Sequence, residues 1–68
     1  MDKWFLLYST RSFPEASIIK GMLEENDVPV MVINKQDSSY IIFGEIELYV
    51  PIHLKDLARQ LVQKDLLN

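Results

Sequence analysis

Between Glu45 and Val50 the chain alternates without a break, with Ile46, Leu48 and Val50 on one side and Glu45, Glu47 and Tyr49 on the other. A period of two belongs to a strand that buries one face. Gly44 marks a bulge or sharp bend before this strand, and Pro51 ends it. Two other segments read as strands. Trp4 to Ser9 is a short aromatic and aliphatic run ended by Ser9-Thr10-Arg11-Ser12, and Val30 to Lys35 carries three β-branched residues behind Pro29. The helical period appears twice. Ser12-Phe13-Pro14-Glu15 has the spacing of a capping box, and Phe13, Ala16, Ile19, Met22 and Leu23 then step by three and four to a helix end near Asn26. Leu54, Leu57, Ala58, Leu61 and Val62 do the same through Lys64, with Leu66 and Leu67 extending the apolar edge.

The predicted order is therefore β-α-β-β-α over residues 1–68, with neither repeat nor linker, and it forms one domain. A right-handed crossover makes the first two strands parallel, and the short connection after the second makes the third antiparallel to it. If the third strand inserts between the other two, the sheet has order 1-3-2 with both helices on one face, the α+β split β-α-β arrangement of ferredoxin-like folds. Such a sheet buries Ile46, Leu48 and Val50 under the helices. The first strand, however, has no polar side, since Trp4, Leu6 and Tyr8 alternate with Phe5 and Leu7. Its second apolar face has nothing within the chain to cover it, so Trp4, Leu6 and Tyr8 are the expected homodimer interface.

Composition narrows the function. The chain has 68 residues, 49% of them apolar and 25% charged, so it folds as an ordinary globular domain. A core of this size leaves only ~3–5 kcal/mol of net stability, and a partner is expected to help. No cysteine is present, which removes disulfides, thiolate metal sites and cysteine nucleophiles and favours a reducing, cytoplasmic compartment. The longest apolar runs, Trp4 to Tyr8 and Val28 to Ile33, fall far below the ~20 residues that span a bilayer. Seven basic residues against ten acidic ones give a net charge of −3, with the bases scattered, so neither nucleic acid nor membrane is an expected partner.

A resemblance adds to this reading. Trp4 and Tyr8, Glu15-Ala16 opening the first helix, Met22-Leu23-Glu24-Glu25-Asn26 before Val28-Pro29, Asn34 to Tyr40 and Phe43 to Val50 are the residues that carry it. Together they resemble a family of short bacterial domains of unknown function, described as prokaryotic signal-transducing proteins. The likeness covers essentially the full chain and is most distinctive from Asn34 to Val50. That family is grouped with the ferredoxin-like fold of the PII (GlnB-like) regulators, which implies the split β-α-β topology and a regulatory role. It implies no established activity.

Candidate chemistry is sparse. His53 is the only histidine and is expected on the surface at the start of the second helix. Glu45 and Glu47 share one strand face about 7 Å apart, a spacing that suits two-carboxylate chemistry or a solvated, salt-bridged face near Lys3 or Lys35. Glu24, Glu25 and Asp27 form an acidic corner at the end of the first helix. Gly21, inside that helix, costs about 1 kcal/mol against alanine, and close approach of the sheet or of a neighbouring subunit is the expected compensation. Asp37, Ser38, Ser39 and Tyr40 are polar residues between two strands, a place where recognition groups sit, while Tyr40 to Phe43 equally suits the start of the third strand or the core rim. The expected partner-binding residues are Asp37, Ser38, Ser39, Tyr40, Glu45 and Glu47. No catalytic residue, metal or cofactor is expected. The leading functional expectation is a non-enzymatic regulatory module that contacts another protein and forms a homodimer; the alternative is a small-ligand sensor of PII type.

Overall fold

The strand with the clearest alternation is the centre of the sheet. In the computed structural model, which describes residues 3–36 and 44–67 with side chains to residue 64, β3 (Ile46–Pro51) lies between β1 (Trp4–Thr10) and β2 (Met31–Asn34) and is antiparallel to both. The helices α1 (Phe13–Glu25) and α2 (Lys55–Leu67) pack on one face, α2 entered through a 3₁₀ turn at Ile52–Leu54. This is the expected α+β arrangement of order β-α-β-β-α with the sheet in order 1-3-2.

The core follows from the two periods. Ile46, Leu48 and Val50 of β3 meet Ala16, Ile19 and Leu23 of α1 and Ala58 and Val62 of α2, with Val28 closing the end of α1. Phe5, Leu7, Tyr8, Met22, Val30, Leu54 and Leu61 pack around this cluster. Phe5 also carries two cations of α2 over its ring, Arg59 at 4.8 Å and Lys55 at 5.6 Å. Phe13 and Leu57 had been expected on the buried stripes. Both are exposed, Phe13 because it occupies the first helical position, before α1 has settled onto the sheet.

Both ends of α1 are fixed locally. At its start the Ser12 hydroxyl accepts a hydrogen bond from the Glu15 amide at 3.2 Å, and Pro14 occupies a position whose amide needs no intrahelical acceptor. At its end the Asp27 amide donates to Glu24 and the Val28 amide to Leu23, a Schellman closure that buries Val28 against Leu23. Asp27 takes the left-handed conformation, at φ 63°, that this closure requires.

The close backbone approach expected at Gly21 is found at Gly44 instead. A Cβ at Gly21 would meet nothing within 4 Å, so among the described residues no backbone of the sheet comes close to supply the expected compensation. Gly44 is where backbones do approach. A Cβ there would collide with the Lys35 carbonyl and lie 2.7 Å from the Gln36 nitrogen.

The second departure is in β1. Leu6 pairs with Tyr49 but Tyr8 pairs with Leu48, so Leu7 is an extra residue in a bulge. The bulge turns Tyr8 onto the helix side, where Leu7 and Tyr8 both pack against the core. Trp4, Leu6 and Tyr8 therefore do not share a face, as unbroken alternation had required.

Candidate functional site

The face of the sheet away from the helices can be read from the register. Leu6, Tyr49 and Met31 form one row across β1, β3 and β2; Ser9, Glu47 and Ile33 form the next; Trp4 and Pro51 pair at the far end. Leu6 is 43% exposed and the other apolar members are half-buried. Nothing within the described residues covers them. The single charged residue that the three strands place on this face is Glu47. Its carboxylate accepts a hydrogen bond from Tyr49 Oη at 2.9 Å and pairs with Lys35 Nζ at 3.4 Å. The bond to Glu47 holds the Tyr49 phenol above its ordinary pKa, because losing the proton would set two negative charges together.

At the Trp4 end the face runs into a hollow of about 480 Å³ lined by Lys3, Trp4, Pro51, Ile52 and His53. The Ile52 amide donates to the Lys3 carbonyl at 2.9 Å, which ties the 3₁₀ turn to the start of β1 and fixes one wall of this hollow. A smaller groove of about 250 Å³ lies on the helix side between α1 and β2, with Phe13, Ser17, Lys20, Val32 and Asn34 at its rim.

On that side Glu15 accepts from two residues of β1, Tyr8 Oη at 2.9 Å and Thr10 Oγ1, while Thr10 Oγ1 in turn accepts from the Ser12 amide at 3.0 Å. A complete capping box would have sent the Glu15 carboxylate back to the Ser12 amide. Here Thr10 takes that amide instead, and Glu15 joins the helix start to the strand. The hydroxyl of Thr10, and then that of Tyr8, hold the Glu15 carboxyl below its ordinary pKa, and the same bond raises the Tyr8 phenol.

The expected site residues fall in three places. Trp4 and Leu6 lie together on the uncovered face, with Glu47 at its other end. Tyr8 is on the opposite side, against α1. Glu45 is exposed beside Lys35, whose amide donates to the Glu45 carbonyl at 3.0 Å. Of the two bases expected near the glutamates, Lys35 is the partner found. Asp37, Ser38, Ser39 and Tyr40 lie outside the described residues. His53 is exposed in the 3₁₀ turn, as expected. Met31, Ile33, Pro51 and Ile52 were not singled out from the sequence; the signal that finds them is the strand register, which a single apolar run does not carry.

This face offers apolar contact area, one row wide at Leu6, with one ion pair at its corner. Among the described residues no group of three or more His, Asp or Glu side chains could hold a metal ion, and no helix is long and apolar enough to cross a membrane. The family model described as "Putative prokaryotic signal transducing protein" matches residues 4–63, and the chain belongs to that family. No curated protein and no solved structure matches it.

Proposed function

Taking that membership as the premise, we propose that the chain is a non-catalytic regulatory module of the bacterial cytoplasm that acts by protein–protein contact and works as a homodimer. The observation that carries this reading is the uncovered sheet face, on which Trp4, Leu6, Met31, Ile33, Tyr49 and Pro51 are left with no covering layer among the described residues. Burying such a face contributes roughly 25 cal/mol per Å², and a domain with only ~3–5 kcal/mol of its own gains much from it. The open edge of β1 is the less favourable surface, because the bulge at Leu7 interrupts the regular row of backbone groups that a partner strand would need.

Light scattering at micromolar concentration tests the reading. The expected mass is about twice the 8.0 kDa of one chain, and Leu6→Asp, which places a charge on the β1 side of the face, lowers it toward one chain. A wild-type monomer at every accessible concentration overturns the homodimer.

A further inference from the structure

A different surface is the outer edge of β2. The sheet order 1-3-2 gives this strand a neighbour on one side only among the described residues. Its register decides which backbone groups stand on the open side. The Lys35 amide donates to the Glu45 carbonyl at 3.0 Å, and Ile33 opposite Glu47 and Met31 opposite Tyr49 continue the same register. In an antiparallel pair, opposed residues bond to each other at every second position and turn their backbone groups away at the positions between. Met31, Ile33 and Lys35 therefore bond toward β3, while Val32 and Asn34 turn their amides and carbonyls outward. Among the described residues no backbone group of a turn, loop or cap meets them there.

The same two residues border the small groove. Their side chains stand on the helix side and line it together with Phe13 and Lys20 of α1, with Leu48 beneath. Val32 is 39% exposed and Phe13 62% exposed, so apolar surface lies open directly beside two outward donors and two outward acceptors. An extended chain laid along β2 satisfies both at once, because its backbone meets the edge and every second side chain turns to the groove.

Size and charge narrow the occupant. The edge is four residues long, about 13 Å, which is little beside the ~800 Å² per partner of a stable contact between folded proteins. The groove, at about 250 Å³, lies below the ~300–1,000 Å³ of small-molecule sites. A linear segment that adds a strand needs neither, since backbone bonds supply its affinity and alternate side chains its selectivity. Lys20, the charged residue that lines the groove, is paired with Glu24 at 3.0 Å, so the side chains that fit there are apolar. Bulges, prolines and charges are what block pairing at natural edges. β1 has such a bulge at Leu7, whereas Met31–Asn34 has none of the three.

We propose that β2 receives an extended segment of a partner protein as an added strand, bonded to the backbone of Val32 and Asn34, with two apolar residues spaced two apart facing Val32, Phe13 and the groove. This rests on the reading of the chain as a protein-contact module and is independent of the homodimer, whose surface is the other face of the sheet. The probe is a phage-displayed library of short random peptides selected against the full chain. The best binder is synthesised unmodified and in two further forms, each N-methylated at one set of alternate amides. One methylated form is expected to bind as the parent does, because its altered amides point away from β2. The other is expected to bind roughly ten-fold or more weakly, because its amides no longer donate to the edge. Amide hydrogen exchange in the parent complex is expected to slow at Val32 and Asn34. Equal binding of the two methylated forms, or slowing confined to amides outside β2, overturns the edge and leaves partner contact standing. A library that yields no binder overturns the edge as well. So does exchange at Val32 and Asn34 that is already slow without peptide, and slowing that grows with protein concentration assigns the edge to a second copy. Light scattering on the same samples reads the homodimer separately.

Discussion

Tyr8 of β1 donates its hydroxyl hydrogen to the carboxylate of Glu15 in the first turn of α1, across 2.9 Å. With the bond from Thr10 this makes Glu15 the clasp between strand and helix. Because the folded carboxyl sits below its ordinary value of 4.5, the stability it contributes is fully present above that value. It is lost as pH falls through the lowered folded value. Glu15→Gln keeps an oxygen to accept a hydrogen bond but cannot titrate. Urea midpoints measured from pH 7 to pH 2 are expected to fall less steeply for this variant below pH 4.5 than for the wild type, and parallel curves would show that the clasp is not felt.

The two glycines predict opposite signs. Gly21→Ala adds a methyl group into open space in the middle of α1 and removes the helix cost of glycine, about 1 kcal/mol. For a domain of this size that raises the thermal midpoint by ~4–8 °C. Gly44→Ala drives the same methyl group into the Lys35 carbonyl and should lower the midpoint. Calorimetric scans of the two variants decide it, and a Gly21→Ala variant that melts lower would show that a second copy, rather than this chain, approaches that position.

What could be read from the sequence, and what could not, follows the strength of each local pattern. Ile46 to Val50 alternates apolar and polar residues, so its face was legible at once. Ser12, Pro14 and the Pro29 break bounded α1, and the chain order with a short last connection left few topologies. Trp4 to Tyr8 was different. Every residue in it is large and apolar, so no polar position marks the phase, and an extra residue at Leu7 passes unseen. That bulge is what moves Tyr8 from the expected interface to Glu15. The hollow was equally hidden, because Trp4, Ile52 and His53 are brought together only by the pairing of β1 with β3. At Gly21 the half of the expectation that looked to the sheet fails, since a propensity cost need not mean a close contact within the chain.

Asp27 is a non-glycine residue in the left-handed region, at φ 63°. That conformation crowds the Cβ against the following carbonyl and costs roughly 1 kcal/mol or more for an L-residue, less for aspartate than for most. Glycine has no Cβ to crowd, and the Schellman bonds from the Asp27 and Val28 amides use only backbone atoms. Asp27→Gly also removes a negative charge from the C-terminal end of α1, where the helix dipole disfavours it. The relieved strain is opposed by the ~0.4–1 kcal/mol that glycine's extra freedom gives the unfolded chain, so urea unfolding at pH 7 is expected to stay within about 1 kcal/mol of the wild type, and a larger loss would mean that the Asp27 side chain makes a stabilising contact.

The row Tyr8, Leu48, Val32 crosses the helix side of the sheet, and burial along it is uneven: Leu48 is 0% exposed and Val32 is 39% exposed. Both helices lie over β1 and β3, and β2 is left at the rim of the small groove beside Phe13 and Lys20. Truncation should register this asymmetry. Leu48→Ala removes fully buried methyl groups, and such changes cost ~2–5 kcal/mol. Against a total of ~3–5 kcal/mol it should leave the chain largely unfolded at 37 °C. Val32→Ala removes a side chain that already faces water and should cost less than ~1 kcal/mol. Circular dichroism during urea titration separates the two outcomes. A Val32→Ala cost approaching that of Leu48→Ala, growing with protein concentration, would mean that a second copy covers the groove side and would move the dimer contact from the uncovered sheet face to the edge of β2.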